Sequence, residues 1–207
     1  SAILGCLGPR LSRAETAFFA DVAPVGFILF ARNVETPDQV RRLTGDLRDA
    51  VGWQAPIFVD QEGGRVQRLR APHWREWLPP LDQVAKAGPE GAARSMYLRS
   101  YLIGREHLAI GIDGNCAPCA DIARPDTHPF LRNRCYGEDV ETVVEISRAV
   151  ADGLSDAGLF PVMKHMPGHG LGTLDSHHEL PHVTASRDEL DQTDFASFRA
   201  LSDLHWG

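Results

Sequence analysis

Short apolar runs of strand length alternate with stretches of helical spacing along this chain. Ala2 to Leu7 is apolar and closed by Gly8-Pro9, which predicts a strand. Ser12 is a good N-cap for a helix from Arg13 to about Val22, with Glu15 placed to complete a capping box. Val25 to Ala31 is nearly continuous in apolar residues, as in a strand covered on both faces. Thr36 with Pro37 at the first helical position starts a helix to roughly Val51, whose Val40, Leu43, Leu47 and Val51 recur at helical spacing. A strand follows over Pro56–Val59, then a helix-rich stretch from Glu90 to Ile110 and a strand-like run from Asn115 to Ile122. Ala123 to Glu138 reads as a polar loop, and Glu138 to Ala157 as an amphipathic helix stopped by Gly158. Phe160 to Met163 predicts a short buried strand, and Ser186 caps a final helix over Arg187–Leu201.

Strand and helix alternate about five times without tandem hairpins, the pattern of βα units on a parallel sheet. Polar clusters follow the strands: Arg32-Asn33, Asp60 to Arg68, Asp121 to Arg134 and Lys164 to His182. In a (β/α)8 barrel such loops converge on the C-terminal face, where active sites are built. A doubly wound sheet would concentrate its site at one switch point. The expectation is therefore an α/β protein of the TIM-barrel type, incomplete because about five units do not close an eight-stranded barrel.

Residues 161–182 are too glycine-rich for a helix and too polar for a core strand. They hold Lys164, five histidines (His165, His169, His177, His178, His182), Asp175 and Glu179. A long loop so loaded with titratable groups is where function concentrates on a rigid scaffold. In Asp175-Ser176-His177 a carboxylate two residues before an imidazole can fix its tautomer and raise its basicity, which suits a general acid/base; the competing reading is an exposed loop histidine. Zinc accepts His165, His169, His177, His178 and Asp175 as ligand types, but Pro167 and Gly168 keep His165 and His169 off one helix face. Asp60, followed by Glu62-Gly63-Gly64, is equally a ligand carboxylate or a structural one in a tight turn. Arg134 lies in a loop long enough to cover a ligand, or simply to be solvated.

The net charge of −7 over 207 residues argues against nucleic acid or an anionic membrane as main partner. Four cysteines make no disulfide framework; Cys116-Ala117-Pro118-Cys119 has CxxC spacing in an apolar run, where small buried side chains are the simpler reading. Reduced thiols suit the cytoplasm, and neither a signal peptide nor a run long enough to span a bilayer is expected.

Five segments together resemble a known family: Gly26–Asn33 (GFILFARN), Phe58–Leu69 (FVDQEGGRVQRL), Leu131–Gly137 (LRNRCYG), Lys164–Gly170 (KHMPGHG) and Asp175–Pro181 (DSHHELP). The family is the bacterial β-N-acetylhexosaminidases of glycoside hydrolase family 3, of the cell-wall recycling type. The resemblance covers residues 1–207 as an N-terminal catalytic barrel lacking its C-terminal strands. It implies a cytoplasmic, metal- and cofactor-free retaining glycosidase that removes terminal N-acetyl-β-D-glucosamine, typically from muropeptide fragments. Carried over by motif, Asp60, Arg68, Arg134, Lys164 and His165 would bind the sugar. His177 would be the general acid/base with Asp175 as its partner, a departure from the usual pair of carboxylates. The carboxylate nucleophile would lie beyond Gly207. A noncatalytic sugar-binding fragment is the alternative, a metal-dependent hydrolase the more distant one, and exposed barrel edges would favour self-association.

Overall fold

The computed structural model describes residues 2–172, 174 and 180–204. Strand β1 (Ile3–Leu4) leads to helix α1 (Arg13–Val22), where the Ser12 side chain accepts from the Glu15 backbone and the Glu15 carboxylate accepts from the Ser12 N–H at 3.0 Å. Strand β2 (Gly26–Leu29) is almost entirely buried and feeds α2 (Pro37–Val51), capped by Thr36 and ended by Gly52. β3 (Ile57–Val59) is followed by a small antiparallel hairpin, β4 (Gln61–Gly63) and β5 (Val66–Gln67). Helices α3 (Pro80–Ala87) and α4 (Pro89–Leu108) precede β6 (Gly114–Asn115). A single turn, α5 (Pro129–Arg132), leads into α6 (Val140–Ala157), β7 (Phe160–Pro161), α7 (Arg187–Gln192) and α8 (Asp194–Ala200).

The sheet runs β1-β2-β3-β6-β7 with every pairing parallel. Sequential parallel strands joined by helices are five units of a barrel wall, and β1 and β7 form its edges. Fully buried Phe27, Leu29, Ile57 and Val59 from β2 and β3 join Leu43 and Leu47 of α2 in one core. Leu154 and Ile146 of α6, with Met96 and Ile103 of α4, form a second core on the outer layer. None of the described helices is long and apolar enough to cross a membrane.

Four expectations change. The run Asn115–Ile122 is regular strand only at its first residue, with scattered backbone bonds to the neighbouring strands after it. The pairing resumes at an isolated bridge between Cys119 and Lys164, where Lys164 N–H donates to Pro118 O at 3.0 Å and Ala120 N–H to Lys164 O at 2.8 Å. Pro118 has no N–H to give to a regular ladder. The stretch Arg187–Leu201 is two helices rather than one. Asp194 is drawn inward to Arg124 at 2.5 Å and is 1% exposed, so the chain breaks at Thr193 and restarts. Helix α3 and the β4–β5 hairpin were not expected; the Glu62 side chain and the Gln61 backbone find their partners far along the chain.

Leu154 is fully buried between the outer helices. Leu154→Ala should lower stability by about 2–5 kcal/mol through lost burial and the cavity left behind. A urea unfolding midpoint that stays at the wild-type value would contradict that packing.

Candidate active site

The site lies where β3, β6 and β7 end, on the face to which the long loops run. Asn115, at the end of β6, is 1% exposed and treats the Gln61 backbone as another strand. Its Oδ1 accepts the Gln61 N–H at 2.9 Å and its Nδ2 donates to Gln61 O at 3.0 Å. The Gln61 side chain in turn accepts from the N–H groups of Arg68 and Leu69 at 2.9 and 3.0 Å, closing the hairpin. With Gln61 clamped from both sides, Asp60 and Glu62 are delivered two residues apart toward the same side. Gly63 is required here: its φ is +109°, and a Cβ would lie 2.6 Å from the Leu78 carbonyl oxygen and collide with the Arg99 guanidinium, which donates to Glu62 O.

Lys164, entering from the end of β7, places Nζ 2.8 Å from Asp60 Oδ1 and 2.5 Å from Glu62 Oε1. Arg134 meets Glu62 with two parallel bonds of 2.8 Å, the bidentate arrangement that suits a guanidinium and a carboxylate. Arg68 Nη2 donates to Asp60 Oδ2 at 3.1 Å. Burial by itself would push both carboxyls up, but Lys164 with Arg68 holds Asp60 below its ordinary value, and Lys164 with Arg134 does the same for Glu62. The same attraction outweighs burial for the cations and raises both Lys164 and Arg134. All four groups are charged at neutral pH.

His165 follows Lys164 through a cis peptide bond. Its Nδ1 lies 2.6 Å from Oδ2 of the buried Asp121, and its Nε2 lies 3.1 Å from Arg134 Nη2. Burial would lower this histidine, yet the Asp121 contact lifts it to about 9. Part of that lift would require Cys119 as a thiolate, and the Cys119 thiol is itself pushed well up by Cys135 and by burial. A guanidinium can only donate, so Nε2 must present a lone pair to Arg134. That contact favours a ring with its proton on Nδ1, facing Asp121, and a lone pair on Nε2.

Cys119, Asp121 and His165 are the one group of potential metal ligands that converges among the described residues, with ligand atoms within 4.8 Å of one another. A metal on Nδ1 would move the ring proton to Nε2 and set it against the Arg134 donor, so the trio suits a hydrogen-bonded dyad better than a cation. Asp121 also accepts the His169 N–H at 2.7 Å. Gly168, at φ +130°, lets the loop pass against Asp194, where a Cβ would lie 2.6 Å from the Asp194 side chain.

An open cavity of about 530 Å³ is lined by Asp60, Arg68, Arg134, Lys164, His165 and His169, together with Phe130. The five residues expected to bind a sugar, Asp60, Arg68, Arg134, Lys164 and His165, are therefore brought together from three separate loops. Arg134 is 7% exposed, not a solvated loop arginine. His177 and Asp175 lie outside the described residues. Cys116 lines the cavity and is pushed by burial to about 11, while Cys119 is fully buried and outside the cavity lining; both are free thiols. Two central residues were missed. Glu62 carried a signal, since it shares the strand face of Asp60; Asp121 opened a recognised polar cluster but had no local partner in the sequence.

The model of the family described as glycosyl hydrolase family 3 N terminal domain matches residues 4–205. A beta-hexosaminidase of Alkalilimnicola ehrlichii is 36% identical over 201 residues, covering 97% of this chain and 58% of the relative. One from Methylococcus capsulatus is 36% identical over 195 residues, covering 94% and 57%. Among solved structures, native NagZ from Neisseria gonorrhoeae superposes with a TM-score of 0.90 at 30% identity, over all of this chain and 60% of the other. A glycoside hydrolase family 3 beta-N-acetylglucosaminidase from Paenibacillus gives 0.86 at 33%, over 96% of this chain and 38% of its own. The chain thus spans just under three fifths of the length of these curated relatives.

Glu62→Gln removes the charge shared by Lys164 and Arg134 and leaves both cations undercompensated; the expected loss at neutral pH is about 3–5 kcal/mol. Because the folded carboxyl sits below its unfolded value of about 4.3, its contribution is complete above that pH and is lost as pH falls through the lower folded value. Urea unfolding across the acid range should therefore show wild-type stability falling more steeply than that of Glu62→Gln. Parallel curves would remove Glu62 from this role.

Proposed function

The chain belongs to the glycosyl hydrolase family 3 N-terminal domain family, and from that premise we propose that its cavity is the sugar subsite of a β-N-acetylhexosaminidase. The observation that carries the reading is Asp60 at the cavity wall, flanked by Lys164 and Arg68. A carboxylate offers about four acceptor positions and an ammonium three donors. Asp60 uses one oxygen on each cation, and Lys164 uses two donors on Asp60 and Glu62. Acceptors and donors are left side by side, which is what adjacent hydroxyls on a pyranose ring need. Leaving a buried polar group unpaired costs about 1–3 kcal/mol, so such a wall selects against ligands lacking those hydroxyls.

In this reading the substrate is a terminal N-acetyl-β-D-glucosaminide, with a muropeptide fragment of cell-wall recycling as its natural source in the cytoplasm. His177 is the general acid/base and Asp175 orients it. Net retention then requires a carboxylate nucleophile about 5–5.5 Å from the acid/base group, and no residue of 1–207 is assigned to it. A second reading follows from that: the chain by itself binds the sugar without turning it over.

Two measurements separate these. Calorimetric titration with N-acetylglucosamine should show binding that Asp60→Ala weakens at least about tenfold, the equivalent of losing one charged hydrogen bond. Hydrolysis of a chromogenic N-acetyl-β-glucosaminide that collapses in His177→Ala would support the enzymatic reading. Binding without hydrolysis would support the second, and no binding at all would sink both.

A further inference from the structure

We propose that Asp121 is a positioning residue that fixes one tautomer of His165 and ties the His165–Gly172 loop to the floor of the cavity. The tautomer and the loop anchorage rest on hydrogen bonds alone; only the consequence for sugar binding rests on the function proposed above.

The Asp121 side chain has no exposed surface, and no Lys or Arg among the described residues forms an ion pair with it. It is instead surrounded by donors. Oδ2 receives the His165 ring at 2.6 Å, the His165 backbone N–H at 3.3 Å and the Cys119 thiol at 3.4 Å. Oδ1 receives the His169 backbone N–H at 2.7 Å. Burial would raise its pKa, but these donors, His165 foremost, hold it down, so it is an acceptor at both oxygens.

Two constraints then act on His165 from opposite sides. Asp121 accepts at Nδ1, so Nδ1 carries the proton. Arg134 donates toward Nε2, so Nε2 is bare. Arg134 is not free to adapt, because its other bonds are spent on Glu62. The ring is held in one tautomer and one rotation at the cavity wall. The second oxygen grips the chain four residues later, at His169. One buried carboxylate therefore sets both the orientation of a cavity side chain and the origin of the loop that continues toward Asp175 and His177.

Asparagine has nearly the same shape but one acceptor and one donor in place of two acceptors. With its oxygen toward His165, its NH2 faces the His169 N–H. Turned over, the NH2 faces Nδ1, the ring proton must move to Nε2, and there it meets Arg134. Neither orientation satisfies every group. A residue that merely filled space would tolerate this replacement.

The experiment is imidazole ¹⁵N NMR on the 207-residue chain labelled at histidine, with His165→Gln identifying the signals. Near neutral pH the wild-type ring should show a protonated, pyrrole-like Nδ1 and a bare, pyridine-like Nε2. The opposite tautomer, or an imidazolium, overturns the proposal without any Asp121 variant being needed. In Asp121→Asn the ring should invert its tautomer or the His169 amide should shift. N-acetylglucosamine binding should also weaken by about tenfold or more, the equivalent of losing one charged hydrogen bond at the cavity wall. Unchanged tautomer, amide and affinity in a folded Asp121→Asn chain overturn the proposal as well. If the wild type binds no N-acetylglucosamine, the sugar reading fails, and the tautomer still decides the role of Asp121.

Discussion

The site depends on one buried carboxylate, Glu62, held between Lys164 and Arg134. Its side chain is 1% exposed, so the charge would be prohibitively costly without close compensation. Compensation comes from residues 72 and 102 positions further along the chain, delivered by different βα loops. Burying Glu62 therefore requires that β3, β7 and the loop ahead of α6 be in their native places together. The same bonds bring Lys164 to Asp60 and Arg134 to His165.

Charge pairs surround that centre in an order that makes chemical sense. Glu62, buried between two cations, has both oxygens occupied and serves structure. Asp60, at the cavity wall, keeps acceptor capacity for a ligand. Asp121 sits behind, bonded to N–H groups rather than to a fixed cation, and controls a ring and a loop. Three carboxylates thus play different parts because their burial and their donors differ. Conversely, Arg68, Arg134 and Lys164 are each partly committed before any ligand arrives, which lowers the entropic cost of ordering them when a ligand binds.

The Cys119–Lys164 bridge links this chemistry to the fold. Pro118 interrupts the ladder after β6, and the pairing that resumes at Cys119 places Asp121 directly beside His165. On the far side, Asp194 at the start of α8 bonds Arg124 and packs against Gly168. The glycine-rich loop is therefore held at its beginning by a sheet irregularity and by a helix that had to be broken to reach it.

Much of this was legible in the sequence. Ser12, Thr36 and Ser186 announced their helices because capping is local chemistry, and the apolar runs of β2 and β3 announced buried strands. Motifs carried Asp60, Arg68, Arg134, Lys164 and His165 as a set, through resemblance rather than spacing. The β4–β5 hairpin was hidden because part of its support comes from Asn115, whose side chain imitates a strand backbone from more than fifty positions away. The single helix expected over Arg187–Leu201 failed because a buried Asp194–Arg124 pair outweighed local propensity. Helix starts, strand runs and the barrel's alternating rhythm depend on neighbours within a few residues, so sequence alone determined them. The charge order around Glu62, the tautomer of His165 and the double grip of Asp121 depend on groups that only a folded sheet brings within hydrogen-bonding reach, and tertiary structure alone decided them.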